Sequence, residues 1–137
     1  MSRPEIRAGL DTSVLMRLLT GQPADLAEVA REYLAEVDES GAVVHVSNLV
    51  VSEAYFACQH HYRMPKADVL AGLLAVLSQP TFVVHPALLD LLAIDGLATV
   101  KPGFLDRLIH AEYAASGLPL VTFEKATTRL PEVLVLS

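Results

Sequence analysis

The chain has 137 residues, a length that suits one domain, 1–137, with a sizeable core. Hydrophobic residues make up 53% of it and aromatic ones only 6%, which excludes a disordered chain and favours Ala, Val and Leu packed as helices on a buried sheet. The net charge of −6 excludes bulk attraction to nucleic acid, so any polyanionic substrate has to be held by metal ions and a local group of Arg and Lys.

No apolar run approaches the ~20 residues that span a bilayer. Asp68, Pro80, His85 and Asp90 interrupt the most hydrophobic region, and Glu5 and Arg7 interrupt any signal-like segment at the start. A cytoplasmic protein without a membrane segment is expected. Cys58 has no second cysteine to pair with and reads as a small core residue.

Taken in order, a short run from Ile6 leads into Asp11. Thr12 and Ser13 follow, and Val14, Leu15, Leu18 and Leu19 then recur at helical spacing: strand, turn, helix. An acid there lies outside the carboxyl end of a strand, where open α/β sheets collect their ligands, although Asp and Thr are also ordinary caps. Gly21, Gln22 and Pro23 stop this helix. The next carries Leu26, Val29, Ala30, Tyr33, Leu34 and Val37 as an apolar stripe, with Glu28, Glu32 and Glu36 on a solvated face.

After Ser40 and Gly41, the β-branched run Ala42 to Val46 reads as a strand, and Ser47 and Asn48 cap a helix reaching about Tyr62. Glu53 falls early in that helix, near the same sheet edge as Asp11. Cys58, His60 and His61 lack the spacing of a tetrahedral metal set. Pro65 opens a helix with Val69, Leu70, Leu73, Leu74 and Leu77, and Thr81 to Val84 is a third strand. His85 and Pro86 turn the chain into a Leu-rich helix, followed by irregular chain from Gly96 to Gly103.

A helix from Phe104 to Ala115 carries Asp106 in its first turn and His110 one turn on, within reach of a hydrogen bond to Asp106. Gly117 ends it. Leu118 to Phe123 is a fourth strand running into Glu124 and Lys125, and Val133 to Leu136 is a fifth. If helical, the segment after Glu124 gathers Lys125 and Arg129 into a small basic patch. Alternation of strands and helices throughout indicates an α/β fold, with a mainly parallel sheet of about five strands covered on both faces.

Asp11, Glu53, Asp106 and Glu124 each follow a strand or open a helix beside one. Carboxylates gathered at one edge repel unless cations compensate them, and oxygen-only donors suit Mg²⁺ or Mn²⁺.

Four stretches carry a resemblance: Leu10 to Leu15, Val46 to Ala54, Phe104 to Ile109, and Gly117 to Lys125. In this order they resemble the PIN-domain family of metal-dependent ribonucleases, in particular the VapC-like toxins of bacterial toxin–antitoxin pairs. The resemblance implies a three-layer α/β/α fold and Mg²⁺- or Mn²⁺-dependent hydrolysis of RNA phosphodiesters. It implies metal-holding catalytic acids at Asp11, Glu53, Asp106 and Glu124, and nearby hydroxyls at Thr12 or Ser13 and at Thr122. The family usually has Asp where this chain has Glu124, whose carboxylate stands one methylene further out.

Arg17, Arg107, Lys125 and Arg129 are the basic residues nearest these motifs and candidates to grip phosphates. Partners implied by the resemblance are the RNA substrate, a cognate antitoxin and a second copy of the chain, with Tyr55, Phe56, Leu70, Leu73 and Leu74 as candidate docking residues. Two alternatives stand beside this reading. One is a haloacid-dehalogenase-type aspartyl phosphotransferase using Asp11, although Ser13 occupies the place of that family's second Asp. The other is a PIN-like binding module without catalysis.

Overall fold

The computed structural model describes residues 3–137. Strands β1 (Ile6–Gly9), β2 (Val43–His45) and β3 (Phe82–Val83) form one ladder in that order, and β4 (Leu120–Thr122) and β5 (Val133–Val135) form another. Both ladders are parallel. Parallel neighbours need a crossover, and helices supply most of them. Between β1 and β2 run α1 (Thr12–Thr20) and α2 (Ala24–Glu39); between β2 and β3 run α3 (Asn48–His60) and α4 (Lys66–Leu77). The short α5 (Leu88–Leu92) and α6 (Phe104–Ala115) follow β3, and a 3₁₀ turn at Lys125–Arg129 links β4 to β5. The architecture is the expected three-layer α/β/α arrangement.

Backbone chemistry explains where these elements stop. Gly21 takes a left-handed φ of 67° and returns its N–H to Arg17 O at 2.8 Å, closing α1. Ser47 caps α3 by accepting from Val50 N at 3.2 Å. The β1–β2 ladder pairs Ala8 with Val44 and Gly9 with His45, with an irregularity between Ile6 and Ala8. Val43, Val44 and Val46 are buried, as suits a middle strand covered on both faces.

The core joins β2 to α1, α3, α4 and the start of α6. Leu15, Val44, Val51, Leu73 and Leu88 are fully enclosed, and Phe104 meets Tyr55 edge to face with centroids 5.1 Å apart. Tyr55, Leu70 and Leu73 are therefore core residues, unavailable for the docking expected of them; of that set Phe56 stays exposed and Leu74 partly so.

Two further expectations are corrected. The apolar stripe of α2 is only partly used: Ala27, Ala30 and Val37 are buried, whereas Leu26, Val29 and Tyr33 are exposed. They overhang an open groove beside β1, because no strand lies along the outer edge of β1 among the described residues. The five strands also do not join into one ladder. The β4–β5 pair is held instead against α6 and the 96–103 loop, where Arg129 Nη1 donates to Lys101 O at 3.0 Å and His110 Nε2 donates to Pro131 O at 2.6 Å. His110 thus bonds a backbone carbonyl rather than Asp106, and the 3₁₀ geometry and the Lys101 contact draw Arg129 away from a patch with Lys125.

Leu73→Ala is expected to destabilise the fold by about 2–5 kcal/mol, the range for a buried leucine truncated in a close-packed core. Val29→Ala, at an exposed groove position, is expected to change stability by less than about 0.5 kcal/mol. Denaturant unfolding of the two variants side by side checks the contrast.

Candidate active site

Asp11 stands two residues beyond β1 in an extended conformation and caps α1. Its Oδ2 accepts from the Ser13 hydroxyl at 2.8 Å and from the Ser13 backbone N–H at 3.3 Å. The Ser13 hydroxyl, then the backbone N–H groups of Ser13 and Thr12, hold this carboxyl below the ordinary carboxylate range, against a weaker opposing effect of desolvation. The side chain is exposed, so it is ionised at neutral pH and open to a ligand.

Thr12 points the other way and donates its hydroxyl to Glu53 Oε1 at 3.0 Å. Glu53 lies in α3, the helix fed by β2, and β2 is the parallel neighbour of β1. The last rung between the two strands, Leu10 N to His45 O at 2.9 Å, brings both strand ends to one edge. Asp11 and Glu53 are thereby linked through a single threonine.

Asp106 and Glu124 form a second pair. Asp106 is in the first turn of α6 and Glu124 lies just past β4, where its N–H donates to Thr122 Oγ1 at 3.0 Å. Both line a cleft of about 350 Å³ together with Phe56, Gln59, Lys66 and Lys101. Phe56 also borders the hollow that holds Thr12 and Glu53, and its ring stacks on His60 at 5.8 Å. Phe56 thus borders both the Asp106–Glu124 cleft and the Glu53 hollow.

The expected basic residues behave differently. Arg17 reaches Tyr62 Oη with Nη2 at 3.2 Å, while its buried Nε has no partner. Arg107 donates Nε to Pro102 O at 2.7 Å and so braces the loop before α6. Lys66 and Lys101 instead flank the Asp106–Glu124 cleft. Sequence reading missed them because they sit on α4 and an irregular loop, at no diagnostic spacing from either acid. It also missed Glu112, which accepts from Asn48 Nδ2 at 2.9 Å and ties α6 to the start of α3. Cys58 is buried against Met16, its Sγ 3.8 Å from the thioether, and burial pushes its thiol pKa up.

The four candidate acids offer hard oxygen donors, the chemistry that suits Mg²⁺ or Mn²⁺ and not a thiolate-seeking metal. A magnesium-type ion needs only one or two carboxylates and keeps waters for its other positions, so each pair fits such an ion by donor type. Among the described residues, no three His, Cys, Asp or Glu side chains converge to hold one ion together.

Asp11 and Glu124 lie just past parallel strands, and Glu53 and Asp106 lie in helices, of a three-layer α/β/α fold. The PIN domain family matches residues 9–133, and the chain belongs to that family. PIN domains are generally metal-dependent nucleases, a class that does not favour the aspartyl phosphotransferase alternative. Comparison with curated proteins and with solved structures gives no match. No helix among the described residues is long and apolar enough to cross a membrane.

Ser13→Ala is expected to raise the Asp11 pKa towards the ordinary value of about 3.9, read by NMR titration of the Asp11 carboxyl. Because the native pKa is lowered, the stability this carboxylate contributes is present above the unfolded pKa and lost as pH falls through the native one. The variant should therefore lose part of its neutral-pH advantage over acid conditions.

Proposed function

We propose that this chain is an Mg²⁺- or Mn²⁺-dependent endoribonuclease acting as the toxin of a toxin–antitoxin pair, with residues 1–137 working as one domain. The observation that carries the reading is the Asp11–Thr12–Glu53 connection, which couples the acid just past β1 to one in the helix that follows its parallel neighbour β2. Asp11, Glu53 and Asp106 would hold one ion and Glu124 with Asp11 would help to hold a second, once the Asp11–Glu53 and Asp106–Glu124 pairs, which no three-ligand group joins among the described residues, are drawn together. Such ions supply a bound water of lowered pKa, and charge to offset that of the phosphate.

The chain's own residues prepare that chemistry. Ser13 keeps Asp11 ionised and holds its Oδ2 at the start of α1, and Thr12 fixes one Glu53 oxygen while leaving the other free. Thr122 orients the backbone that carries Glu124. Lys66 and Lys101 beside Asp106 and Glu124, and Arg17 in the groove with Asp11, supply the positive charge for RNA phosphates that the overall charge of −6 does not, with Arg107 and Lys125 as further candidates. Family membership supports the nuclease part of this reading, and the four motifs support the toxin part, with growth inhibition in the cytoplasm, a cognate antitoxin and a second copy of the chain as its partners.

Asp11→Asn and Asp106→Asn are each expected to lower metal-dependent RNA cleavage on the order of 100-fold or more with an unchanged circular dichroism spectrum. Chelation with EDTA abolishes cleavage by the parent chain, and added Mn²⁺ restores it. Full activity in either variant removes the proposed site. A folded parent chain that binds RNA without cleaving it, at any Mg²⁺ or Mn²⁺ concentration, establishes the non-catalytic module instead.

A further inference from the structure

Phe56 is an exposed aromatic ring set among charges. On α3 the spacing of Glu53, Phe56 and His60, i to i+3 and then i to i+4, puts all three on one face. The Phe56 ring is 50% exposed and has a ring on two sides. It lies nearly parallel to His60, at 19° with centroids 5.8 Å apart, and meets buried Tyr55 edge to face at 5.9 Å. Tyr55 packs in turn on buried Phe104 at 5.1 Å, so the exposed pair stands on the aromatic part of the core. A single exposed aromatic is common on protein surfaces and by itself marks nothing. This one borders both hollows that hold candidate acids, and it shares the Asp106–Glu124 cleft with Lys66 and Lys101.

We propose that Phe56 and His60 form a stacking platform for one unpaired base of the RNA, and that the docked base sets which phosphate reaches the acids. The assignment rests on the nuclease reading above. A nucleotide offers both things this place can take: a flat base to cover the ring, and a phosphate for Lys66 or Lys101. The lysines favour it over an apolar protein segment, which would bring them no negative charge. Net charge points the same way. With 10 Lys and Arg against 16 Asp and Glu, counterion release can supply only a limited share of the affinity, and stacking supplies a share that salt does not weaken. A base inside a duplex is already stacked and costs energy to extrude, so the platform takes a base where the strand is unpaired. Phe56 and His60 touch the base and no reacting atom; they act on binding and on the register of the strand.

The chain has no tryptophan, so Phe56→Trp puts a single fluorescent reporter in the platform. In the Asp11→Asn background with Mg²⁺ present, a single-stranded RNA oligonucleotide is expected to quench it, whereas the same strand in a duplex, or an abasic strand of equal length, leaves it bright. Phe56→Leu, with an unchanged circular dichroism spectrum, is expected to raise KM for cleavage of that oligonucleotide on the order of 10-fold with little change in kcat, and to spread the cuts over neighbouring phosphates. It should leave the slope of log affinity against log salt unchanged, whereas Lys101→Ala lowers that slope by about 0.7, the contribution of one phosphate contact on a single strand. A bright reporter at RNA concentrations that saturate binding, read by anisotropy of labelled RNA, overturns the platform, as does equal quenching by the abasic strand. Unchanged KM and cut sites in Phe56→Leu also overturn it and leave the ring to a protein partner. Cleavage that persists without quenching leaves the nuclease reading standing; quenching with no metal-dependent cleavage by the parent chain removes that reading and leaves the platform as a binding site. A chain that binds no RNA removes both.

Discussion

The bond from Leu10 N to His45 O is the last rung between β1 and β2, and the geometry of the acids starts there. Parallel pairing makes neighbouring strands end together, so the turn after each strand opens at the same edge. Asp11 caps the helix that leaves β1, Ser47 caps the helix that leaves β2, and Glu53 follows within that second helix. Thr12 can bridge to Glu53 only because the core fixes α1 against α3, through buried side chains such as Leu15, Met16, Val51 and Cys58. A slip in the β1–β2 register would separate the acids and unseat that packing together.

Electrostatics then divides the roles. Asp11 is exposed, ionised and held by Ser13, which suits a ligand that must always be charged. Positive charge is sparse and local: Lys66 and Lys101 lie at the Asp106–Glu124 cleft, whereas Arg107 and Arg129 brace backbone carbonyls. In a chain of net charge −6, Lys66 and Lys101 thus put local positive charge beside two of the acids that would hold the metal.

Much of this was legible in the sequence, for reasons of period and punctuation. β2, β3 and β4 were marked by apolar runs before a turn or cap, β1 by a short run into Asp11 and β5 by an apolar run after Pro131, and Gly21 and Gly117 marked helix ends because both take left-handed φ. Asp11, Asp106 and Glu124 were visible because each sits where an element begins or ends, and Glu53, inside α3, through the resemblance of its motif. Contacts that depend on tertiary packing were not visible. No pattern in the sequence tells that Tyr55 turns inward to Phe104 while Phe56 stays out, or that His110 meets Pro131. The α2 stripe misled most: periodicity says which face is apolar, and the fold decides how much of that face is covered.

The central claim is that the acids at the strand ends bind a divalent ion. Titrating the folded chain with Mn²⁺ and following paramagnetic broadening of its amide signals tests this most directly. Broadening is expected first around Asp11–Ser13 and Glu53, together with Asp106 and Glu124. Broadening confined to the outer acids of α2, Glu28, Glu32 and Glu36, or spread evenly over the surface, contradicts the account.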